Sequence, residues 1–269
     1  MGSAFCEMED VQPVRPVAGY IGGKRSLAKR VIAQIQALPH DCYVEPFVGM
    51  GGIFFRRDER PASRAEVVND ISHDVATLFR ILQRHYQQFL DVLKWQVTSR
   101  AEFERLRHID PGSLTDLERA ARFLYLQRLA FGGKVRGRNF GVQTVGGARF
   151  DLTKLVPMLE AVHERLSGVI IERLNYPELI ARYDKQSTLF YLDPPYWGCE
   201  RDYGDGVFCE ADFERLRGVL DGIKGRFVMS INDVPAIRRI FDGYHVEPVE
   251  LNYRVGGKPA PARELIIRN

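Results

Sequence analysis

Four consecutive residues, Asp193, Pro194, Pro195 and Tyr196, carry the clearest chemical signal in the chain. They follow Thr188-Leu189-Phe190-Tyr191-Leu192, an aliphatic and aromatic run bounded by polar residues and too short for a helical pattern, which predicts a buried strand. The two prolines lack an amide donor and fix their own φ, so they end the strand and stiffen the turn after it. A carboxylate at Asp193, a carbonyl at Pro194 with no N–H on the next residue, and the aromatic face of Tyr196 are then presented together. They lie beyond the carboxyl end of a strand, where ligands sit in open α/β sheets. Such a set suits a planar ring bearing an exocyclic amino group. A plain tight turn with a packing tyrosine is the competing reading, and these four residues alone do not separate the two.

Two further turns have residue types that bear on the same question. Gly22, Gly23 and Lys24 precede a helical pattern of apolar residues at Leu27, Val31, Ile32, Ile35 and Leu38. Glycines there let the backbone approach an anionic group, which Lys24 and the helix N-terminus would favour, though an ordinary loop has the same look. The segment Cys42 to Phe55 predicts a short strand, a glycine turn at Gly49, Gly51 and Gly52, and the start of an apolar helix at Ile53-Phe54-Phe55. The spacing is not G-x-G-x-x-G and no Lys-Ser/Thr follows, so an adenosine group without phosphates fits better than a nucleotide triphosphate. A second strand, Glu66 to Asn69, ends in Asp70, about twenty residues beyond the glycine turn, where an acid can hold both hydroxyls of a ribose. The alternative is that Asp70 caps the helix that follows.

These turns need a sheet to hold them, and the rest of the chain predicts one with a large interruption. From Ile71 to about Leu159 the pattern is helical, through Val75, Leu78, Phe79 and Leu82 and again through Leu117, Ala120, Ala121 and Leu124. No strand is predicted until Gly168 to Leu174, and so long a connection exceeds what a crossover helix requires. We therefore expect a separate lobe. Between Glu118 and Asp151 there is no acidic residue, whereas Arg119, Arg122, Arg128, Lys134, Arg136, Arg138 and Arg149 are basic. Within this stretch Phe131 to Gly141 interleaves cations, glycines, aromatics and Asn139, a loop able to follow a phosphate backbone and present Arg or Asn to base edges. A solvated basic face is the alternative. After the central strand come a flexible Gly204-Asp205-Gly206 loop and a helix with Phe213, Leu216, Leu220 and Ile223 on one face. The strand Gly225 to Ile231 follows, then a helix opened by Asn232-Asp233, and a terminal hairpin around Gly256-Gly257.

Composition sets the bounds. The 269 residues are 45% hydrophobic, enough for a substantial core, and the net charge of +3 is only mildly basic. The four cysteines, Cys6, Cys42, Cys199 and Cys209, make no CxxC pair and no zinc-like cluster, which predicts a reduced, intracellular protein without a structural metal. There is no run long enough to span a membrane and no signal-peptide pattern, and the segment from Met1 reads as a loose leader.

Taken together, the chain from Tyr20 to Ile267 resembles the Dam-like (D12 class) N6-adenine-specific DNA methyltransferases. The matching motifs, in order, are Tyr20-Ile-Gly-Gly-Lys24, Val44-Glu-Pro-Phe-Val-Gly-Met-Gly-Gly52, Asn69-Asp70 and Asp193-Pro-Pro-Tyr196. The resemblance implies an α/β, Rossmann-like methyltransferase sheet closed by an antiparallel hairpin, with an inserted, mainly helical target-recognition lobe. It divides the chain into a flexible leader (1–15), a catalytic domain (16–72 and 161–269) and the inserted recognition domain (73–160). It implies S-adenosylmethionine as methyl donor, with Tyr20, Gly22 and Lys24 at the methionine end. Glu45, Pro46, Phe47 and Gly49 would lie around the adenosine and Asp70 at the ribose. Asp193, Pro194, Pro195 and Tyr196 would be catalytic, Asp193 also neighbouring the cofactor. Arg128, Lys134, Arg136, Arg138 and Asn139 would contact double-stranded DNA, Arg136 at a guanine-reading position. A cytoplasmic, bacterial or phage-encoded enzyme follows, a monomer or homodimer, needing no metal. Tyr20 stands where family members often have Trp, and Gly132 and Lys134 depart from the best-known members, so a shared recognition sequence is not implied.

Overall fold

A computed structural model describes residues 12–58, 65–142, 147–204, 206–255 and 258–269, with backbone only for 252–255 and 258–261. Residues 1–11 of the expected leader, Asp205 of the expected flexible loop and the Gly256-Gly257 hairpin tip lie outside the described residues. The Val14 N–H donates to the Phe55 carbonyl at 2.8 Å, so the end of the leader segment is attached to the fold.

In chain order the described elements are α1 (Ala28–Gln36), β1 (Cys42–Glu45), β2 (Ala65–Asn69), α2 (His73–Arg84), α3 (Tyr86–Leu93), α4 (Arg100–His108), α5 (Asp116–Leu129) and α6 (Leu152–Arg165). They continue with β3 (Ile170–Glu172), α7 (Tyr176–Tyr183), β4 (Thr188–Leu192), α8 (Glu210–Asp221), β5 (Arg226–Asn232), α9 (Pro235–Ile240), β6 (His245–Val255) and β7 (Lys258–Arg268). The strands form a seven-stranded sheet in the order β3-β2-β1-β4-β5-β7-β6. Pairing is parallel from β3 through β5, and β7 runs antiparallel between β5 and β6. From β1 the chain winds outward through β2 and β3, then returns to the other side of β1 with β4. The carboxyl ends of β1 and β4 therefore flank the point where the winding reverses, where open α/β sheets form a binding crevice.

The period-two alternation of each strand divides its side chains between two cores. Tyr43, Val68, Leu189, Tyr191, Val228 and Ile266 share one face with Val31 and Ile35 of α1 and with Leu78, Leu124 and Leu159 of the inserted helices. Val44, Val67, Phe190, Leu192, Phe227 and Met229 face Leu179, Phe213 and Ile237 of α7, α8 and α9. Both faces are covered, which is why β4 is buried along its whole length and reads as a continuous apolar run. At the centre of the inserted helices is α5, opened by a reciprocal Thr115 and Glu118 capping box and buried on every side from Ala120 to Gln127. Residue 160, the expected limit of the insertion, falls inside α6.

One expected element is different. Instead of an α-helix after the Gly49 to Gly52 turn there is a single 3-10 turn over Phe54–Arg56, followed by extended backbone at Arg57. The reason is a buried charge: the Arg57 guanidinium lies 3.6 Å from the Tyr43 ring centroid and pairs with Glu66 at 3.0 Å. Arg165, at the end of α6, pairs with the same Glu66 at 2.6 Å. Reaching this carboxylate draws the chain straight where a helix would have turned it back. Among the described residues no helix is long and apolar enough to cross a membrane, and no three His, Cys, Asp or Glu side chains converge to hold a metal.

Candidate active site

The Asp193 to Tyr196 turn emerges from β4 and is held from three directions. Behind it, the Tyr191 hydroxyl lies 2.7 Å from Ser230 Oγ, and the Ser230 hydroxyl donates to Asp193 Oδ1 at 3.3 Å. Beyond it, Asn232 clamps the backbone of Trp197, accepting from its N–H at 3.0 Å and donating to its carbonyl at 3.1 Å. In front, the buried Lys24 ammonium reaches Asp193 Oδ1 at 2.7 Å, the Tyr196 hydroxyl at 2.8 Å and the Gly22 carbonyl at 2.9 Å. Three acceptors match the three ammonium protons. Lys24, expected at the end of a bound methionine group, lines the cavity, and its ammonium is directed to the Asp193 turn, where a buried carboxylate is a strong acceptor within its reach.

The turn after β1 makes the opposite wall. Gly49 has φ +50°, and a Cβ there would lie 3.0 Å from the Tyr20 ring, so only glycine lets the loop pass under that ring. Asp70 Oδ2 accepts from the Gly49 N–H at 2.9 Å and Oδ1 from the Ser72 N–H at 2.8 Å. The helix-capping role weighed for Asp70 belongs to Ser72, which is the N-cap of α2. Each oxygen of Asp70 keeps a second lone pair, so the carboxylate can also accept from a ligand hydroxyl. Asn69 joins the wall to the sheet edge, donating to the Pro46 carbonyl at 2.8 Å and accepting from the Leu174 N–H at 2.8 Å.

Between the walls is a cavity of about 890 Å³. Tyr20, Gly22, Lys24, Pro46, Phe47, Gly49, Asp70, Asp193 and Pro195 line it, together with Tyr203, Phe208 and Tyr176. Phe47 packs on Tyr176 and Phe208 with ring centroids 5.5 and 6.1 Å away, and the Tyr203 hydroxyl donates to the Ile21 carbonyl at 3.3 Å. Ser230, Asn232 and Tyr203 were not anticipated from sequence. A serine and an asparagine at the end of the strand beside the Asp-Pro-Pro turn are the available signal; from sequence, Asn232 marks only the start of a helix.

Glu45, expected beside the adenosine, is buried behind the cavity wall and is not among the residues that line it. It shares the buried strand face of Tyr43, whose hydroxyl donates to Glu45 Oε1 at 2.5 Å, because residues two apart on a strand point the same way. Burial pushes its carboxyl up to about 8. The folded chain thus retains a proton that the unfolded chain releases at lower pH, and stability declines as pH rises from the ordinary carboxyl range through about 8. Glu45→Gln is therefore expected to stabilise the protein above about pH 8, by on the order of 5 kcal/mol at most. Thermal melts at about pH 9 and about pH 5 check the sign; a variant that melts lower than wild type at the alkaline pH would show the carboxylate to be charged and needed.

Asp193 and Asp70 are both pushed up to about 6 by burial. At Asp193 the Lys24 charge opposes the shift, and at Asp70 the Ser72 and Gly49 amides do.

The basic loop is pinched at its base, where the Phe131 N–H donates to the Asn139 carbonyl at 2.9 Å and the Gly141 N–H to the Leu129 carbonyl at 2.8 Å. Lys134, Arg136 and Asn139 are exposed and Arg138 is half-buried. Arg128, expected among the nucleic-acid contacts, has a guanidinium that donates to the Arg149 carbonyl at 2.8 Å and to the Val17 carbonyl at 2.5 Å. Carbonyls left over by irregular backbone draw it inward, and it braces the loop's base from within.

The D12 class N6 adenine-specific DNA methyltransferase family matches residues 20–255. The type II methyltransferase M.CviBI of Paramecium bursaria Chlorella virus NC1A is 26% identical over 245 residues, covering 90% of this chain and 92% of that protein. The type II methyltransferase M1.LlaDCHI of Lactococcus lactis subsp. cremoris is 25% identical over 277 residues, covering 95% of each. The DNA adenine methylase of Salmonella typhi is 31% identical over 162 residues, covering 58% of this chain and 56% of that protein. The family match begins at Tyr20 on the cavity wall, passes through both turns of the switch point and ends at Val255 in the terminal hairpin: the chain belongs to the D12 class N6 adenine-specific DNA methyltransferases.

Proposed function

We propose that this chain transfers a methyl group from S-adenosylmethionine to the N6 amine of an adenine flipped out of duplex DNA. The observation that carries this reading is that Asp193 and Pro195 of the Asp-Pro-Pro-Tyr turn line the same cavity as Asp70, with Tyr196 tied to it through the Lys24 ammonium and Pro194 outside the lining. The residues fit the cofactor. Phe47 with Phe208 and Tyr176 would form an apolar wall for its purine, Asp70 would accept from the ribose hydroxyls, and the Tyr20 to Gly23 turn would line its methionine end. When bound, S-adenosylmethionine supplies an electrophilic methyl group on a sulfonium.

The chain's own residues then have defined tasks. The N6 lone pair is delocalised into the adenine ring and the base lies inside the duplex, so flipping costs a few kcal/mol before any reaction. Tyr196 stacks on the flipped ring. Asp193 Oδ2 and the Pro194 carbonyl each accept an N6 hydrogen bond, which favours a pyramidal nitrogen with its lone pair turned toward the methyl group. Lys24 grips Asp193 Oδ1 and the Tyr196 hydroxyl with one ammonium, so carboxylate and ring are fixed relative to each other before the base arrives. Asp193 also holds the cationic product until its extra proton leaves. The inserted helices with the basic loop serve as the target-recognition lobe, Lys134, Arg136, Arg138 and Asn139 meeting the duplex.

The test is incorporation of tritiated methyl groups from S-adenosylmethionine into duplex DNA, RNA and protein, with the modified nucleoside identified by mass spectrometry. N6-methyladenine in DNA is expected; incorporation confined to RNA or protein would overturn the reading. Since Asp193 must accept hydrogen bonds, the single-turnover rate is expected to fall as pH drops through about 6, where the carboxyl takes up its proton. A pH-independent rate down to about pH 5 would remove Asp193 from that role. Lys134→Ala and Arg136→Ala are each expected to lower the slope of log affinity for DNA against log salt by about 1. Unchanged slopes in both would mean that the loop does not meet phosphate.

A further inference from the structure

The lobe and the cavity are joined by a side chain that neither the sequence motifs nor the proposed chemistry uses. Gln127, on α5, is 1% exposed. Its Nε2 donates to the Gly19 carbonyl at 2.9 Å and to the Gly133 carbonyl at 2.6 Å, and its Oε1 accepts from Arg138 Nη2 at 3.1 Å. Both amide protons and the carbonyl are thereby spent on two segments. Gly19 leads into the Tyr20 to Lys24 turn, while Gly133 and Arg138 belong to the basic loop. The same two segments also touch directly: the Ile21 N–H donates to the Gly133 carbonyl at 3.0 Å. Gly133 has φ +68°, and a Cβ there would lie 3.0 Å from the Gly19 carbonyl carbon and the Tyr20 nitrogen.

From this junction the contacts continue to the reacting group. The Tyr20 ring lies over Gly49 on the far wall, the Gly22 carbonyl accepts from Lys24, and Lys24 pairs with Asp193. Arg138, at the outer end, is folded back with its guanidinium 5.4 Å from the Phe123 ring centroid, so a phosphate that draws it outward pulls on the Gln127 amide. A buried amide resists losing any of its partners, because each would be left without water to replace it.

We infer that Gln127 is a positioning residue that links duplex engagement at the basic loop to the geometry of the Tyr20 to Lys24 turn, and so to cofactor affinity and the rate of transfer. The inference rests on the reading of the cavity as the cofactor site. Linkage is reciprocal: the factor by which DNA tightens the cofactor equals the factor by which the cofactor tightens DNA.

The experiment is calorimetric titration of S-adenosylhomocysteine into the full chain with and without sheared genomic DNA, together with the single-turnover methylation rate. Wild type is expected to bind S-adenosylhomocysteine about 10-fold more tightly with DNA present. Gln127→Met keeps the length of the side chain and loses its hydrogen bonds. It is expected to hold each separate affinity within about 3-fold while the enhancement disappears and the rate falls about 10-fold or more. Gly133→Ala, which forces the junction apart from the loop side, is expected to do the same and carries the test alone if Gln127→Met fails to fold. Enhancement and rate preserved in a folded variant, or a wild type that methylates DNA without any enhancement, would overturn the coupling alone. A wild type that binds neither probe would overturn the cofactor reading with it.

Discussion

Asp193→Ala is expected to lower the single-turnover rate of methyl transfer to duplex DNA by about 10²–10³-fold, with the affinity for S-adenosylmethionine held within a few-fold. The carboxylate acts on charge that develops only as the amine reacts, so its removal raises the barrier more than it weakens binding. The surrounding contacts make the substitution a clean one. Lys24 retains the Gly22 carbonyl and the Tyr196 hydroxyl as acceptors, and Asn232 still clamps the turn through Trp197. Rapid-quench methylation alongside equilibrium cofactor binding separates the two quantities, and a variant that methylates at the wild-type rate would sink the assignment of Asp193. Asp193→Asn is expected to lie between the two, since the amide offers an oxygen but no charge.

Lys24→Gln is expected to be nearly as damaging for a different reason. Lys24 is 2% exposed and its charge opposes the upward shift of the Asp193 carboxyl. Without it the carboxyl rises further above about 6, the protonated form predominates over more of the neutral range, and the acid limb of the rate profile moves to higher pH. The Tyr196 hydroxyl also loses the Lys24 ammonium as a partner. A fall of about 10²-fold near neutral pH is expected, partly recovered at alkaline pH where Asp193 ionises again. A variant whose acid limb stays where wild type has it would show that Lys24 does not set the state of Asp193. The amide probe of Asp70 is milder: Asp70→Asn should weaken cofactor binding with little effect on the rate at saturation, because its contacts are with loops and not with the amine.

How much of this was legible in sequence followed from the range over which each feature is determined. The β4 strand and its proline turn are local, because a buried apolar run and two missing amides need no information from elsewhere. The order of the turns, and hence the crevice between β1 and β4, followed from the family pattern. Direction was less legible. Lys24 reads the same whether its ammonium points to a ligand or to Asp193, and Arg128 counts as a basic residue whether it meets phosphate or two carbonyls of its own chain. The direction of Glu45 is legible in the sequence, since strand parity puts it on the same face as Tyr43. Ser230, Asn232 and Gln127 have partners far away in sequence, and only the folded sheet brings those partners to them.

The central place of β1 in the sheet has a consequence during synthesis. One neighbour, β2, follows it closely, but the other, β4, is translated only after the whole helical insertion. A nascent chain that has cleared the ribosome as far as α6 carries the glycine turn, Asp70 and the basic loop, yet has no Asp193 to act with. On the proposed function, the loop that would meet DNA is thus made before the carboxylate that would act on it. Closing the parallel pair of β1 and β4 is a long-range step of the kind that slows folding, so acquiring catalysis belongs among the last events in the life of a newly made molecule.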